Sequence, residues 1–272
     1  GIRDAESRRL RRQLDSFARS QTEILEMILK GVPLAQILDH IIRRVEVLST
    51  EEVFSSIMLV NPEGTHLVKG ACGQGMLEDY YKELGPVRIE RGMGSCGTAA
   101  ALGRTIVVED IATHPDWSMF RETTVKFGLR ACWSVPVFAS DRKILGALEV
   151  YHLAAHSPSP EEIRWVEAVS KLASLAIERS QSAEKLRESE TLLRIASEAA
   201  RIGGWIVDLA KGRVTWSDQV CDIHEAPRGT SRSFDEAMEF IAPEWRSRFV
   251  GVFERCRTEG TPFDEEMQIV TA

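Results

Sequence analysis

The sequence predicts an α+β fold in which antiparallel strands are flanked by helices, and three patterns lead to this class. Residues 3–30 contain no Gly or Pro and repeat apolar residues at alternating spacings of four and three, which is typical of a helix. From residue 53 the apolar residues instead form short β-branched runs separated by turns. From residue 161 a helical pattern returns and continues to about residue 200.

Composition sets limits on partners and location. The 272 residues are 43% hydrophobic and 28% charged, which is typical of a globular protein. The net charge is −7, and the one basic cluster is interleaved with acidic residues, so no nucleic-acid partner is expected. No apolar run approaches the roughly 18 residues of a membrane span, and no signal peptide is evident. We therefore expect a cytoplasmic protein with no membrane segment in this part of the chain.

The five cysteines are an odd number and include no Cys-x-x-Cys pair. This pattern favours reduced thiols over a disulfide framework, and it predicts no metal site.

The first helix carries one narrow apolar seam, which is typical of a helix that pairs with another helix. We predict a coiled-coil helix over residues 1–31, ended by Gly31 and Pro33. The seam consists of Leu10, Leu14, Phe17, Gln21, Ile24 and Ile28.

Residues 32–180 carry the pattern of a first globular domain. A helix is predicted over residues 33–49, followed by a hairpin whose strands flank the turn NPEG. A helix near the Pro115-Asp116 turn is predicted between the strands 105–111 and 130–139. The remaining predicted strand is residues 143–152, and the long exit helix begins at Glu161.

The exit helix loses its apolar stripe over residues 181–200, where only Leu186 and Leu193 keep heptad register. This segment is predicted to be a linker or a weak coiled coil.

A second domain is predicted over residues 201–272. Its expected elements are a hairpin (204–209 and 213–216), helices at 234–241 and 244–259, and a strand at 263–270.

Two stretches, GMGSCGTAAALGRTIVVEDIATHPDW and GLRACWSVPVFASDRKILGALEVYH, together with the order of elements, resemble the GAF domain of bacterial sensor kinases and cyclic-di-GMP enzymes. The second domain, from ARIGGWIVDLAKGRVTWS to PFDEEMQIV, is similar to the first part of a PAS domain. That family's sheet places two further strands between its first and third, so we expect the polypeptide to continue beyond residue 272.

The GAF resemblance implies a pocket between the sheet and the segments after the glycine-rich turn. A mixture of aromatic rings with one carboxylate would suit a small planar or amphipathic ligand, and the same residues would also serve as a filled core. No cofactor is identified by these residues. The pocket candidates are Met93, Cys96, Trp117, Phe127, Trp133, Glu149 and Tyr151.

One enzyme group of the family, the free methionine-(R)-sulfoxide reductases, carries thiols at positions that look like Cys96 and Cys132. Here Trp133 replaces the acidic residue after the second thiol, and Ile106 or a neighbour stands where a third cysteine is found. The alternative is that both cysteines are small buried hydrophobic residues.

No phosphate-binding loop, kinase or hydrolase signature occurs in the chain. The resemblance therefore implies a sensory region that relays ligand or partner binding through a parallel homodimer, with a histidine kinase as its output. The alternatives are a diguanylate cyclase or cyclic-di-GMP phosphodiesterase output, a thiol-dependent sulfoxide reductase, and a GAF domain that only dimerises.

Overall fold

A computed structural model describes residues 18–49, 52–73 and 75–271. The chain divides into two compact units, Gly1–Glu184 and Lys185–Ala272. The helices that begin in the first unit are α1 (18–29), α2 (Leu34–Leu48), α3 (Met76–Leu84), α4 (Gly94–Leu102), α5 (Arg121–Lys126) and α6 (Pro160–Ala200). Its strands are β1 (Phe54–Val60), β2 (His66–Cys72), β3 (Val87–Arg88), β4 (Ile106–Val108), β5 (Ala131–Phe138) and β6 (Ile144–His152).

The six strands form one antiparallel sheet in the order β3-β2-β1-β6-β5-β4. The register places Glu149 of β6 between Ser56 of β1 and Ser134 of β5. Because side chains alternate along a strand, Glu149 and Tyr151 lie on one face and Leu148 lies on the other. The predicted hairpin and the paired strands β5 and β6 are confirmed.

One sheet face is covered by α1, α2 and the first part of α6. Its core is mainly apolar and includes Ile57, Leu148 and Val150 of the sheet, with the buried hydroxyl of Ser55 bonded to Ile42 O of α2 at 3.2 Å. Ile24 and Ile28 of the predicted seam pack into this same core. The seam positions 10, 14 and 17 lie outside the described residues, so the coiled coil stays a prediction.

The other face is covered by α3, α4, α5 and their loops. Two elements of this unit, α3 and β3, were not predicted from the sequence. In α3 the buried residues Leu77, Tyr80 and Tyr81 recur at helical spacing, and Gly75 and Gly85, both with positive φ, flank the helix. The helix predicted near Pro115 forms as a 3₁₀ turn, Pro115–Trp117, followed by α5.

The second unit contains β7 (Trp205–Asp208), β8 (Arg213–Trp216), α7 (Asp218–Ile223), β9 (Ser231–Ser233), α8 (Phe234–Met238) and α9 (Pro243–Glu259). The strands form an antiparallel sheet in the order β7-β8-β9, which confirms the predicted hairpin. The strand predicted over 263–270 is wrong, because only Ile269 forms a bridge, to Ile241. A β-strand needs a neighbouring strand for its backbone hydrogen bonds, and none of the described strands lies beside this segment. The PAS assignment of this unit stays a prediction.

Among the described residues, no helix combines the length and the apolar character that crossing a membrane requires.

Candidate functional site

A buried carboxylate, that of Glu149, lies at the centre of the second sheet face. The residue has no exposed surface. Its Oε2 accepts hydrogen bonds from Ser56 Oγ at 3.0 Å and from the Tyr81 hydroxyl at 2.6 Å. Its Oε1 accepts one from the Tyr151 hydroxyl at 2.9 Å. The Cys96 thiol is a fourth donor to the carboxylate. We call these five residues the Glu149 network.

Burial raises the pKa of Glu149, and the hydrogen bonds that its oxygens accept act in the opposite direction. No ion pair found among the described residues includes this carboxylate. Among the residues that the structure describes, the Glu149 carboxyl group is therefore surrounded by neutral hydrogen-bond donors and has no Lys or Arg partner. A carboxylate held in this way responds strongly to any cation or hydrogen-bond donor that enters its surroundings.

The two cysteines of the reductase hypothesis lie in or beside this network. Cys96 is 4% exposed and Cys132 is fully buried. Ser95 Oγ lies 3.0 Å from Cys132 Sγ. Burial raises the pKa of both thiols well above the usual value, and the neighbouring Glu149 acts in the same direction. Both are therefore neutral thiols near pH 7, the form that does not attack as a nucleophile.

Aromatic rings surround the carboxylate on this face. The ring of Tyr80 packs edge-on against those of Phe127 at 5.6 Å and Tyr151 at 5.9 Å between centroids. Trp117 packs against Tyr151 at 6.4 Å. Six of the seven predicted pocket residues are thus in one cluster, namely Met93, Cys96, Trp117, Phe127, Glu149 and Tyr151.

Trp133 is a correction to the predicted pocket. It follows Cys132 on β5, so its side chain projects to the opposite face, where it packs with Val135 and Leu148 in the apolar core.

Sequence reasoning missed Ser56, Tyr80 and Tyr81. Ser56 is a polar residue within an apolar strand, and the two tyrosines share a helical face with Leu77. These patterns were visible in the sequence, but only the pairing of β1 with β6 brings Ser56 to Glu149.

Among the residues that the structure describes, no three His, Cys, Asp or Glu side chains are placed together to hold a metal ion. His114, in the turn before Pro115, accepts a hydrogen bond from the Asp116 amide at 3.2 Å, which is a capping role.

Comparison with known proteins identifies the first unit. Residues 32–178 match the GAF domain family. Because this match spans more than half of the chain, the chain belongs to the GAF domain family.

A curated relative in Methanosarcina acetivorans, the methyl sulfide methyltransferase-associated sensor, is 30% identical over 184 residues. The alignment covers 68% of this chain and 18% of the relative, so the chain spans about a fifth of that protein's length. Family and relative together support a sensory role.

Two solved structures illustrate the fold. The GAF domain of a phosphoenolpyruvate-protein phosphotransferase from Coxiella burnetii is 16% identical, with a TM-score of 0.51, covering 62% of this chain and 97% of that one. The free methionine-R-sulfoxide reductase of Neisseria meningitidis is 21% identical, with a TM-score of 0.47, covering 61% and 91%. At 16% identity, the similarity to the first of these structures concerns the fold alone.

Proposed function

We propose that the chain is the sensory region of a cytoplasmic signal-transduction protein and that the Glu149 network is where its GAF domain recognises a small molecule. The observation that carries this proposal is the buried carboxyl group of Glu149, for which the described part of the chain offers no cationic partner. Such a group costs folding free energy compared with an apolar residue of similar size. Groups with shifted pKa values in such surroundings are concentrated at functional sites.

Native mass spectrometry tests this proposal. The purified chain is expected to carry extra mass that is lost on denaturation. Glu149→Gln should lose that mass because it replaces the carboxylate by an amide of the same shape. Leu148→Val is the matched control, since this neighbour projects to the opposite face. A wild-type chain without bound mass, or equal retention by both variants, would contradict recognition at Glu149.

The proposed relay runs through α6 in a parallel homodimer. Leu186 and Leu193 are one heptad apart on this helix and are 60% and 66% exposed, which would suit a seam to a second copy. Cysteines introduced at 186 or 193 should crosslink protomers under mild oxidation. Glu188→Cys, on the far side of the helix, is the control and should not crosslink. Equal yields at the three positions would exclude a specific seam.

We propose a histidine kinase as the output of the full-length protein, with a diguanylate cyclase or cyclic-di-GMP phosphodiesterase as the alternative. The support is the resemblance of the GAF and PAS order to such sensors. Incubation of the full-length protein with labelled ATP should yield an acid-labile phosphohistidine. Formation or hydrolysis of cyclic-di-GMP in place of that product would favour the alternative.

The second candidate function is a thiol-dependent sulfoxide reductase, favoured by the proximity of Cys96 and Cys132 to one buried network. The raised pKa values and burial of both thiols oppose it. An assay of free methionine-(R)-sulfoxide with a dithiol reductant should give no turnover above that of a Cys96→Ser variant. Turnover lost in that variant would establish the enzyme.

A further inference from the structure

Residues 267–270 of the second unit lie outside the described strands and are held by hydrogen bonds at separate points. Ala242 N donates to Gln268 O at 3.0 Å, and Val270 N donates to Phe240 O at 2.9 Å. The carbonyl of Val270 accepts a hydrogen bond from the imidazole of His224. Both backbone polar groups of Val270 are therefore bonded, and one of the two bonds comes from a side chain that titrates near neutral pH.

Four planar side chains lie together at this contact, namely Trp216, His224, Arg232 and Phe240, which we call the His224 cluster. The imidazole stacks on the Trp216 indole, with ring centroids 4.7 Å apart, and packs edge-on against Phe240 at 5.5 Å. The guanidinium carbon of Arg232 lies 4.5 Å from the centroid of the same indole and 5.4 Å from that of Phe240. A histidine and an arginine thus lie against the same two aromatic rings.

The charge of Arg232 is not cancelled by a paired carboxylate. None of the ion pairs found among the described residues includes Arg232, and its Nη1 is buried without a hydrogen-bond partner. The Ser233 amide, and to a smaller extent Arg232, lower the pKa of Glu236, whose carboxylate accepts that amide at 2.6 Å and caps α8. The guanidinium already makes cation–π contacts with both rings, so a second cation in the cluster would be repelled.

The geometry around His224 suits its neutral form. One ring nitrogen donates to Val270 O, whereas Nδ1 is buried and has no hydrogen-bond partner in the described structure. Protonation would make Nδ1 a donor as well, which would leave a buried donor unpaired and close to the Arg232 charge. Burial lowers the pKa of His224, Arg232 acts in the same direction, and the bond to Val270 O opposes both.

The other charged groups near His224 are paired elsewhere or exposed. Asp222, on the same helix, accepts two hydrogen bonds from the Arg228 guanidinium at 2.8 and 2.6 Å. Glu225 follows His224 in the chain and is exposed. Residues 267–270 carry no charged side chain, and no ion pair of the described residues includes His224. A protonated imidazole would therefore find no compensating carboxylate in the described part of the cluster.

We propose that His224 is an acid-sensitive latch for residues 267–270. The neutral imidazole holds Val270 against Phe240, and protonation drives the imidazole out of the His224 cluster and releases the segment. This inference goes beyond the proposed function, which concerns ligand recognition at Glu149 in the first unit. The latch would give the chain a response to pH that needs no bound molecule.

Amide hydrogen exchange, measured by NMR on the whole chain at about pH 7.5 and about pH 5, tests the proposal. A released His224 has the ordinary pKa of about 6.5 and the held form a lower one, so protonation favours release below about pH 6.5. The protection factor of the Val270 amide should fall at least about threefold between the two pH values, and at most about 30-fold. Equal protection of Val270 at both pH values would overturn the latch.

The Ala226 amide is the internal control, because it donates to Cys221 O at 2.8 Å in the same unit and does not contact residues 267–270 through that bond. Its protection factor should be the same at both pH values. An equal fall at Ala226 and Val270 would mean that the whole unit opens, which would also overturn the latch.

Two variants assign the response, with folding checked by circular dichroism. His224→Phe keeps an aromatic ring but cannot titrate, so protection of Val270 should no longer depend on pH. Arg232→Gln removes the charge, so the imidazole resonances should report a higher pKa of His224 and the loss of Val270 protection should be smaller. Arg257→Gln, which removes an arginine paired with Glu254 outside the cluster, is the matched control and should titrate as wild type does. A pH response that persists in folded His224→Phe, or a His224 pKa that Arg232→Gln leaves unchanged, would overturn the assignment.

Discussion

Leu148 and Glu149 are neighbours on β6, yet their side chains lie in opposite environments. Leu148 projects into a core that three helices, α1, α2 and α6, cover with aliphatic side chains. Glu149 projects into a face where hydroxyl and thiol groups meet a carboxylate, under the shorter elements α3, α4 and α5. We call the first the apolar face, since apolar side chains form most of its core, and the second the polar face, since it carries the Glu149 network among apolar side chains.

The difference between the faces concerns how each is held together. Packing on the apolar face is non-directional and proportional to buried area, so it tolerates small displacements. Bonds on the polar face are directional, and each unpaired group there costs free energy. Binding of the ligand that we propose for the Glu149 network should therefore alter the polar face first, while the apolar face keeps the sheet intact.

The largest expected effect is that of Trp133→Ala on the apolar face. Removing a buried indole leaves a cavity and should lower the free energy of unfolding by about 4 kcal/mol, measured by urea denaturation. Because Trp133 faces away from Glu149, any ligand retained by the folded fraction should be unaffected. If Trp133→Ala lost little stability but no longer bound the ligand, Trp133 would belong to the pocket after all. Trp133→Phe, with its smaller cavity, is the graded control.

A smaller and graded effect is expected from adjacent tyrosines on the polar face. Tyr81 donates to the Glu149 carboxylate at 2.6 Å, whereas Tyr80 bonds the neutral Thr124 hydroxyl at 3.2 Å. Tyr81→Phe should therefore cost about 2 kcal/mol and Tyr80→Phe about 1 kcal/mol in urea denaturation. Each variant is the control for the other, since both remove one hydroxyl from the same helix. Equal losses of stability in the two variants would show that the hydrogen bond to the Glu149 carboxylate stabilises the fold no more than the one to Thr124.

Variants on the two faces should also differ in how pH changes their free energy of unfolding. Because the folded pKa of Glu149 is raised, its contribution is complete below the ordinary glutamate pKa of about 4.3 and is lost as pH rises through the folded value. The free energy of unfolding of wild type minus that of Glu149→Gln should therefore decrease as pH rises from about 4. Leu148→Val should show the pH profile of wild type. A difference that grows with pH would mean that the folded pKa is lowered.

Sequence patterns predicted those parts of the fold that depend on local periodicity. The hairpin of β1 and β2, the pair β5 and β6, and α2 formed as expected because each shows a clear period within its own residues. The assignment of Trp133 to the pocket was wrong because it depends on the register of β5 with β6. Trp133 pairs with Val150, whereas Glu149 and Tyr151 pair with Ser134 and Cys132, so Trp133 projects to the opposite face.

The remaining features depend on tertiary partners. Residues 263–270 have strand-like composition, but a strand forms only beside another strand. Three of the four donors to Glu149 come from β1, α3 and α4, which lie up to 93 residues away in sequence. The sequence identified Glu149, Cys96 and Tyr151 as pocket candidates, and only the fold adds Ser56 and Tyr81.

The smallest expected effect is the absence of a reaction. Cys96, Cys132 and Cys221 are buried, whereas Cys72 and Cys256 are partly exposed. Alkylation of the native chain at neutral pH, followed by intact mass measurement, should modify Cys72 and Cys256 and leave the buried three unmodified; all five should react after denaturation. Cys221 is the internal control, because it is buried within the second unit. If Cys96 reacted quickly while Cys221 stayed protected, the polar face would open in solution. The reductase hypothesis would then regain its main requirement, a thiol that a substrate can reach.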